Sequence, residues 1–356
     1  MFIVENSKFS EMVICIWCHF GIAIAKKHRI FAENIQLMKS PSVSVLIPAY
    51  NAAPFLSRSV ASVLGQDFDD LEIVIVDDGS TDGSGEIADR MAAEDRRIRV
   101  VHQENRGLAE ARRSGIKAAK ADYICHLDAD DELLPGAIAF LYDKCVSLNL
   151  DFAFGAMVRV TGEDSFKVLH PTEGVLDSDQ YLHFLFDRRC MVAQGEYLCR
   201  RELWTDDIFP PSNKVLPSED VLMNIRLSAN VNRVGLYNRP VMKYYYVPTS
   251  LSATNRLSSM DNWETFFCLV EKNLRERGRL ESLQQDLLCM KLDRLAFYIY
   301  PLDTSRPWIK DVLHDSRFKL SHRYAILQRL LRYPRLCHLC VVNNRRLKKL
   351  LKSLRT

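Results

Sequence analysis

The sequence predicts an α/β fold: a mainly parallel central sheet flanked by helices, with a helical, basic C-terminal extension. Three observations predict it. From Val43 to Leu148, short apolar runs alternate with segments of helical spacing, as strands and crossover helices do in a parallel sheet. Two acidic clusters, Asp77-Asp78 and Asp128-Ala129-Asp130-Asp131, fall where strands end. In open sheets of this kind ligands bind beyond the carboxyl ends of the strands. The third observation is a split of charge. The chain has 48 Lys and Arg against 45 Asp and Glu, but Ser316–Thr356 holds 12 of the basic residues and no acidic one. The remaining body has 36 basic residues against 45 acidic ones.

The elements follow in order. Val43–Ile47 is a short apolar run of the kind buried on both faces of a sheet. Phe55–Leu64 has helical spacing at Leu56, Val60 and Val63. Leu71–Val76 is a second strand, ending at Asp77-Asp78-Gly79-Ser80. Ile87–Ala93 is a helix and Ile98–Val101 a third strand; Leu108–Ala119 is an alanine-rich helix. Tyr123–Leu127 is a fourth strand, ending at the second acidic cluster, and Pro135–Leu148 is a helix with Pro in its first turn. Beyond it, Phe152–Val160 and Val241–Val247 read as strands, and Gln180–Phe186 and Val221–Ala229 as helices. From Asn262 onward the pattern is helical and increasingly basic. Four segments result: an N-terminal extension (1–40), two halves of an α/β domain (41–150 and 151–255), and a helical basic region (256–356).

Composition bounds the rest. In 356 residues, 47% hydrophobic and 26% charged, the balance is that of a globular protein. It excludes a disordered, collagen-like or disulfide-scaffold chain. No apolar run reaches the ~20 residues of a spanning helix. Met12–Ala25 is apolar but only fourteen residues long, and Lys26-Lys27 follow it, whereas a signal peptide carries its charge in front. Residues 1–37 read equally as an extension of the gene before a start at Met38, and no function is assigned to them. The ten cysteines read as reduced thiols, several of them small buried hydrophobes such as Cys125. Cys15–Cys18 and Cys337–Cys340 have zinc-like spacing but lie more than 300 residues apart. Cys15-Ile-Trp-Cys18-His19 fits a haem-attachment pattern, which would need an exported, haem-enclosing chain.

The acidic clusters carry the chemistry. On an extended segment, alternate residues point the same way, so Asp128 and Asp130 are expected to converge. Converging carboxylates repel one another, and hard oxygen ligands suit Mg²⁺ or Mn²⁺. The competing reading is structural: Asp130, Asp131 and Glu132 precede a helix N-terminus, where acids are favoured. In the first cluster, Asp77-Asp78-Gly79-Ser80-Thr81-Asp82 reads either as a helix-capping turn or as a carboxylate facing a nucleoside. The adjacent Gly83-Ser84-Gly85-Glu86-Ile87-Ala88 loosely matches a dinucleotide fingerprint. It follows the second strand, not the first, and two carboxylates occupy the place a pyrophosphate would need. His126 reads as a satisfied core histidine, and nothing in the spacing of His170 or His183 makes them metal ligands.

These motifs together resemble the family 2 glycosyltransferases of the GT-A fold. Val43–Asn51 resembles the family's opening strand, and Leu71–Ser84 its Asp-Asp-Gly-Ser segment. Asn105-Arg106-Gly107…Ala111-Arg112 resembles its Asn-x-Gly helix, and His126–Asp131 its metal-binding Asp-x-Asp. Ser218-Glu219-Asp220 resembles the Gly-Glu-Asp stretch, and Tyr244-Tyr245-Tyr246…Ser250-Leu251-Ser252 the aromatic-strand ending. The coverage is about residues 42–255. The resemblance implies a nucleotide-diphosphate sugar donor, with UDP as its nucleotide, and an inverting transfer to a glycan or lipid-linked acceptor in bacterial surface polysaccharide synthesis. It implies that Pro48 and Tyr50 line the base pocket, Asp78 bonds the base and Asp128 reaches the ribose. Asp130, with Asp128, would hold Mn²⁺ or Mg²⁺, and Arg112 would add positive charge near the donor. Asp220 would be the general base, with Glu219 as its rival; both acids also suit a helix N-terminus. Two positions depart from the pattern: Arg113 stands where the family usually has Asn, and Ser218 where it usually has Gly. Arg113 puts the donor contacts of this region in doubt.

Two other functions fit the pattern less well. A catalytically inactive sugar-nucleotide-binding scaffold is disfavoured by the presence of Asp78, Asp128, Asp130 and Asp220, and an NAD-dependent oxidoreductase by the acidic strand ends. The basic tail reads either as a helix face packed on the body or as an attachment of residues 316–356 to an anionic membrane surface. The second reading implies a cytoplasmic enzyme, peripheral on the inner face of the membrane. Nucleic acid is not an expected partner, because no recognition fold accompanies the charge.

Overall fold

The computed structural model describes residues 40–186, 194–210, 216–246, 260–297 and 303–332. Strands and helices alternate through β1 (Val43–Ala49), α1 (Ala53–Leu64), β2 (Leu71–Asp77), α2 (Ser84–Glu94), β3 (Ile98–His102), α3 (Leu108–Ala118) and β4 (Tyr123–His126). Every residue of β1 and β2 is buried, as expected for central strands covered on both faces. Next come β5 (Glu132–Leu133), α4 (Ala137–Ser147), β6 (Phe152–Thr161), β7 (Asp164–Val168), β8 (Gly174–Leu176), α5 (Ser178–Phe186) and β9 (Tyr197–Arg200). They are followed by α6 (Glu219–Leu227), β10 (Val234–Tyr245), α7 (Met260–Glu276), α8 (Leu280–Phe297), α9 (Pro307–His314) and α10 (His322–Leu331).

The strands form one ten-stranded sheet in the order β3-β2-β1-β4-β9-β6-β10-β5, with β7 on β6 and β8 on β10. Pairing is parallel among β1, β2, β3 and β4 and between β6 and β10. The remaining pairs are antiparallel, so the sheet is mixed rather than parallel throughout. Four-residue β9, wedged between β4 and β6, joins the two parallel groups. Two cores cover the two faces. Leu56, Val60 and Val63 of α1, Ala88 of α2 and Ile138 and Leu141 of α4 fill one. Ile116 of α3, α5, α6 and the C-terminal helices fill the other, where Trp263 and Phe266 are fully buried.

Local chemistry explains the irregular places. Strand β10 starts at Val234, seven residues before the predicted Val241, and its register with β6 shifts around Pro240. Proline has no N–H to give the ladder, so the strand bulges there. Opposite, a side chain at Gly155 would overlap Val241, which leaves only glycine room at that point. At the end of β2, Gly79 has φ +73°, and a Cβ there would lie 2.8 Å from the backbone nitrogen of Asn105. Glycine thus lets the loop after β3 close on the loop after β2.

In the basic extension, α10 packs as an ordinary amphipathic helix. Leu327 and Leu331 are buried, and Gln328 Nε2 donates to the carbonyls of Val312 and Asp315. Residues 333–356, most of the predicted membrane-facing tail, lie outside the described residues, as do Cys15, Cys18, Cys337, Cys340, residues 1–37 and the Ser250-Leu251-Ser252 motif. Among the described residues no helix is long and apolar enough to cross a membrane. Cys125, Cys145 and Cys199 are buried and free, as expected of small hydrophobes, and burial pushes the Cys125 and Cys145 thiols up to about 12.

Candidate active site

The loops after β1, β2, β3 and β4 all open at the carboxyl ends of parallel strands, and each is held by side chains of its neighbours. Asn51 N–H donates to Ser80 Oγ (3.1 Å), Ala52 N–H to Ser84 Oγ (2.8 Å) and Ala53 N–H to Asp82 Oδ2 (3.0 Å). Ser80, Asp82 and Ser84 therefore satisfy N–H groups at the start of α1, the helix that follows the neighbouring strand. Asp82 also accepts from Ser84 N–H at the start of α2 (3.0 Å); the N-cap position itself is Gly83, so the acid stands one residue before it and serves two helices. The Asp78 carboxylate accepts from Gln103 Nε2 (2.6 Å), Arg106 N–H (2.9 Å) and Gly107 N–H (2.9 Å). Three of its roughly four lone-pair positions are filled by the loop that leads into α3, leaving about one for a ligand. Pro48 is buried at the end of β1, and Tyr50 just beyond it is 53% exposed.

Arg112 is the centre of the site. It projects from α3 and is only 3% exposed. Nη2 donates to Asp128 Oδ1 and Nη1 to Glu219 Oε1, both at 3.0 Å. One guanidinium thus ties the loop after β4 to the first turn of α6, across 107 residues of sequence. Asp220, beside Glu219, accepts from Val221 N–H at 2.9 Å. Asn224, one turn on, is fully buried; its Nδ2 donates to the Asp220 carbonyl (2.9 Å) and its Oδ1 accepts from Tyr181 (2.8 Å). Ser218, just before Glu219, has φ +55°. This is the left-handed region where glycine is favoured, so the residue type departs from the family pattern while the backbone keeps a glycine-like conformation.

The Asp128–Asp131 segment is a turn, not an extended strand: Asp131 N–H donates to the Asp128 carbonyl at 3.0 Å. Strand alternation therefore does not bring Asp128 and Asp130 together; the turn does. The helix-capping alternative fails here, because β5 intervenes and the next helix starts at Ala137 behind Gly136. Burial and the negative charge of Asp128 raise Asp130 to about 6. Burial, Asp128 and Asp130 raise Asp131 to about 9, although Asp131 accepts from Tyr245 N–H (3.0 Å). Burial also raises Glu219 and Asp220, and the nearby Arg112 guanidinium only partly offsets it. Below the cluster, Arg58 donates to the Asp130 carbonyl (2.6 Å), pairs with Glu132 (2.9 Å) and lies 4.0 Å from the Tyr245 ring centroid.

Repelling carboxylates of this kind fit a divalent cation, whose charge would favour their ionised forms against burial and mutual repulsion. Among the described residues no group of three His, Cys, Asp or Glu side chains forms a ready metal cage. Two carboxylates, with water and phosphate oxygens in the other positions, are the usual holding set for Mg²⁺.

One of the remaining residues departs from its predicted role. His126 is fully buried against Trp204 (centroids 5.0 Å apart) and neither ring nitrogen has a hydrogen-bond partner among the described residues, so it is not a satisfied core histidine there. Burial and Arg112 keep it neutral by depressing its pKa well below the usual value. Arg113 turns away from the cluster to stack on Phe209 (4.9 Å) and bond the Asp206 carbonyl (3.3 Å). His170 is bonded to the Gly155 carbonyl (2.7 Å) and His183 to Asp286 (2.8 Å), both in structural roles. Sequence reasoning missed Asn224 and Asp131 as members of the site. Asn224 sits one helical turn from Asp220, a spacing that could have marked it.

Comparison with known proteins identifies the family and the fold. Residues 44–204 match the model of glycosyl transferase family 2. The chain is 32% identical over 226 residues to EpsJ, an uncharacterized glycosyltransferase of Bacillus subtilis, covering 62% of this chain and 66% of EpsJ. It therefore spans just under two thirds of that relative. It is 31% identical over 253 residues to YibD, an uncharacterized glycosyltransferase of Escherichia coli, covering 67% of this chain and 71% of YibD. In fold it is similar to residues 1–349 of S. aureus TarS, crystallised in complex with UDP-GlcNAc. That match has a TM-score of 0.63 and 19% identity, and covers 88% of this chain and 91% of that one. The mixed sheet, the motif order and these relatives lead to one conclusion: the chain is an α/β protein of the GT-A type and belongs to the family 2 glycosyltransferases.

Proposed function

We propose that this protein moves a sugar from a nucleotide-diphosphate sugar, with UDP as the nucleotide, to a glycan or lipid-linked acceptor of a bacterial surface polysaccharide, inverting the anomeric configuration. The observation that carries the reading is the double ion pair of Arg112, which joins the Asp128 loop to the Glu219-Asp220 turn at one point. A donor-side motif and an acceptor-side acid are thereby held together.

In this reading residues 41–150 bind the donor and 151–255 the acceptor. Pro48, Tyr50 and the remaining lone pair of Asp78 receive the base, and Asp128 lies toward the ribose. Asp130 and Asp128 hold Mn²⁺ or Mg²⁺, which when bound neutralises the charge left on the departing diphosphate. Asp220 takes the proton of the acceptor hydroxyl as that oxygen bonds to the anomeric carbon and the bond to the diphosphate breaks. A single displacement from the opposite face inverts the centre. Burial raises Asp220 and Glu219 alike, and a carboxylate raised above its usual range is a stronger base. Glu219, already paired with Arg112, is better placed to orient than to accept a proton. Of the basic segment 316–356, the part beyond α10 faces an anionic membrane surface, on the inner face of the cytoplasmic membrane.

The test is nucleotide release from a panel of sugar nucleotides with Mn²⁺, with and without lipid-linked acceptors. Release from at least one donor is expected, lowered by Asp130→Ala and by Asp220→Asn. No release from any donor, or release unchanged in both variants, contradicts the proposal.

A further inference from the structure

We infer that β6, β7 and β10 carry a binding platform for an acceptor oligosaccharide, running outward from the carboxylate cluster along Tyr244, Arg159, Phe166 and Tyr246. The inference rests on the function proposed above. Strand register puts Tyr244 beside Arg159 and Arg159 beside Phe166. Paired residues on neighbouring strands share a face of the sheet, and Tyr246, two residues after Tyr244, returns to it. Side-chain geometry agrees: the Arg159 guanidinium lies 5.8 Å from the Tyr244 ring centroid and 5.5 Å from that of Tyr246.

The two ends of the row differ. At the inner end Tyr244 is half-buried, and its neighbour Tyr245 donates its backbone N–H to Asp131 at 3.0 Å. That end therefore adjoins the reacting centre. At the outer end Phe166 is 53% exposed and Tyr246 38% exposed, far more than aromatic rings with a packing role require. Between them, Arg159 makes no hydrogen bond or ion pair among the described residues and is held only against the two tyrosine rings. Its N–H donors remain available.

Exposed rings beside a free guanidinium fit the surface of a sugar. The negative ring faces accept the C–H face of a pyranose, and the guanidinium donates to the hydroxyls at its rim. Three strands span about 10 Å, enough for more than one sugar ring. The charge around the row disfavours an anionic membrane as occupant. Besides Arg159, the β6–β7 hairpin carries Lys167, Glu163 and Asp164, a balance near zero.

The test applies full-length protein to a printed array of bacterial surface oligosaccharides and to phosphatidylglycerol vesicles. Binding of sugar nucleotides is measured by calorimetry on the same preparations, and circular dichroism checks that each variant is folded. The wild type should bind a subset of the oligosaccharides. Phe166→Ala with Tyr246→Ala should weaken that binding about tenfold, the loss of roughly one stacking contact, while sugar-nucleotide binding persists. Arg159→Gln, which keeps the stem and removes the charge, should weaken it in the same direction. The platform is overturned if the wild type binds no oligosaccharide, if the double variant binds as well as the wild type, or if it loses vesicle binding instead. Failure of sugar-nucleotide binding with oligosaccharide binding intact would count against the proposed reaction and leave the platform standing.

Discussion

Arg112 is the residue on which both acidic motifs depend. It is buried and bonded to two carboxylates from distant parts of the chain, and removing it would leave Asp128 and Glu219 facing each other without a counter-charge. Breaking a buried pair in this way costs about 3 kcal/mol or more. Arg112→Met is therefore expected to lower the urea midpoint strongly and abolish transfer. Arg112→Lys retains the charge, but a single ammonium lacks the planar fork that reaches two carboxylates at once. It should fold with a smaller loss of stability and still lose at least about tenfold in kcat, because only the geometry of the two acids has changed. Equal kcat in wild type and Arg112→Lys would remove the positioning role. The sequence names Arg112 through the family pattern but assigns it to the donor. Its link to Glu219 is a contact between residues 112 and 219, and no local spacing encodes a contact of that range.

At the scale of elements, two predictions follow from backbone and charge. Ser218 opens α6 at φ +55°, which costs a non-glycine residue about 1 kcal/mol. Ser218→Gly should relieve this, offset in part by the greater freedom of glycine in the unfolded chain. The expected net gain is below about 1 kcal/mol, read as a small rise in the urea midpoint; a clear fall would contradict the strain. The second prediction concerns His102 at the end of β3. Its ring bonds Asp77 and Asp89 at 3.0 Å each, and these bonds raise its pKa above the usual value. The added stability is full below the unfolded histidine pKa of about 6.5 and is lost as the pH rises through the higher folded value. The ring is half-exposed, so screening keeps the effect below about 1 kcal/mol. His102→Gln should flatten the fall in urea midpoint as the pH rises above the unfolded histidine value of about 6.5. An unchanged slope would assign that fall to other groups.

The elements differ in how well the sequence exposes them. The strands β1, β2 and β4 were legible because buried central strands are continuous apolar runs, and the edge strand β3 because Ile98, Val100 and Val101 stand between two segments of helical spacing. Strands β5, β7, β8 and β9 were not. They are two to five residues long, β7 and most of β8 are exposed, and β9 is recognisable only by the strands it lies between. The turn at Asp128–Asp131 was legible in its residues but not in its shape, because a polar run after a strand suits an extended segment equally well.

At the scale of the whole molecule, the near-neutral net charge of +3 is the sum of two unlike parts. Part of the acidic excess is gathered at strand ends, where the raised carboxyl groups of Asp130 and Asp131 lie. The basic excess is divided in turn: five of the twelve basic residues of the tail lie in 316–332, of which α10 packs on the body, and seven in 333–356. A cut at residue 315 would remove Leu327 and Leu331 from the core and disturb the fold. A chain ending at 332 is the proper test of membrane attachment. It should remain folded and sediment with phosphatidylglycerol vesicles less than the full chain does, whereas equal sedimentation would remove the proposed role of the tail.

The most direct test of the reaction compares two neighbouring acids. Turnover of a reactive sugar nucleotide with its acceptor is measured for wild type, Asp220→Asn and Glu219→Gln, with donor affinity measured alongside. Asp220→Asn should lower kcat by about 10²–10⁴, the usual contribution of a general base, with donor affinity nearly unchanged, and Glu219→Gln should lower it less. Near-normal turnover in Asp220→Asn, with the larger loss in Glu219→Gln, would contradict the assignment of Asp220 as the base.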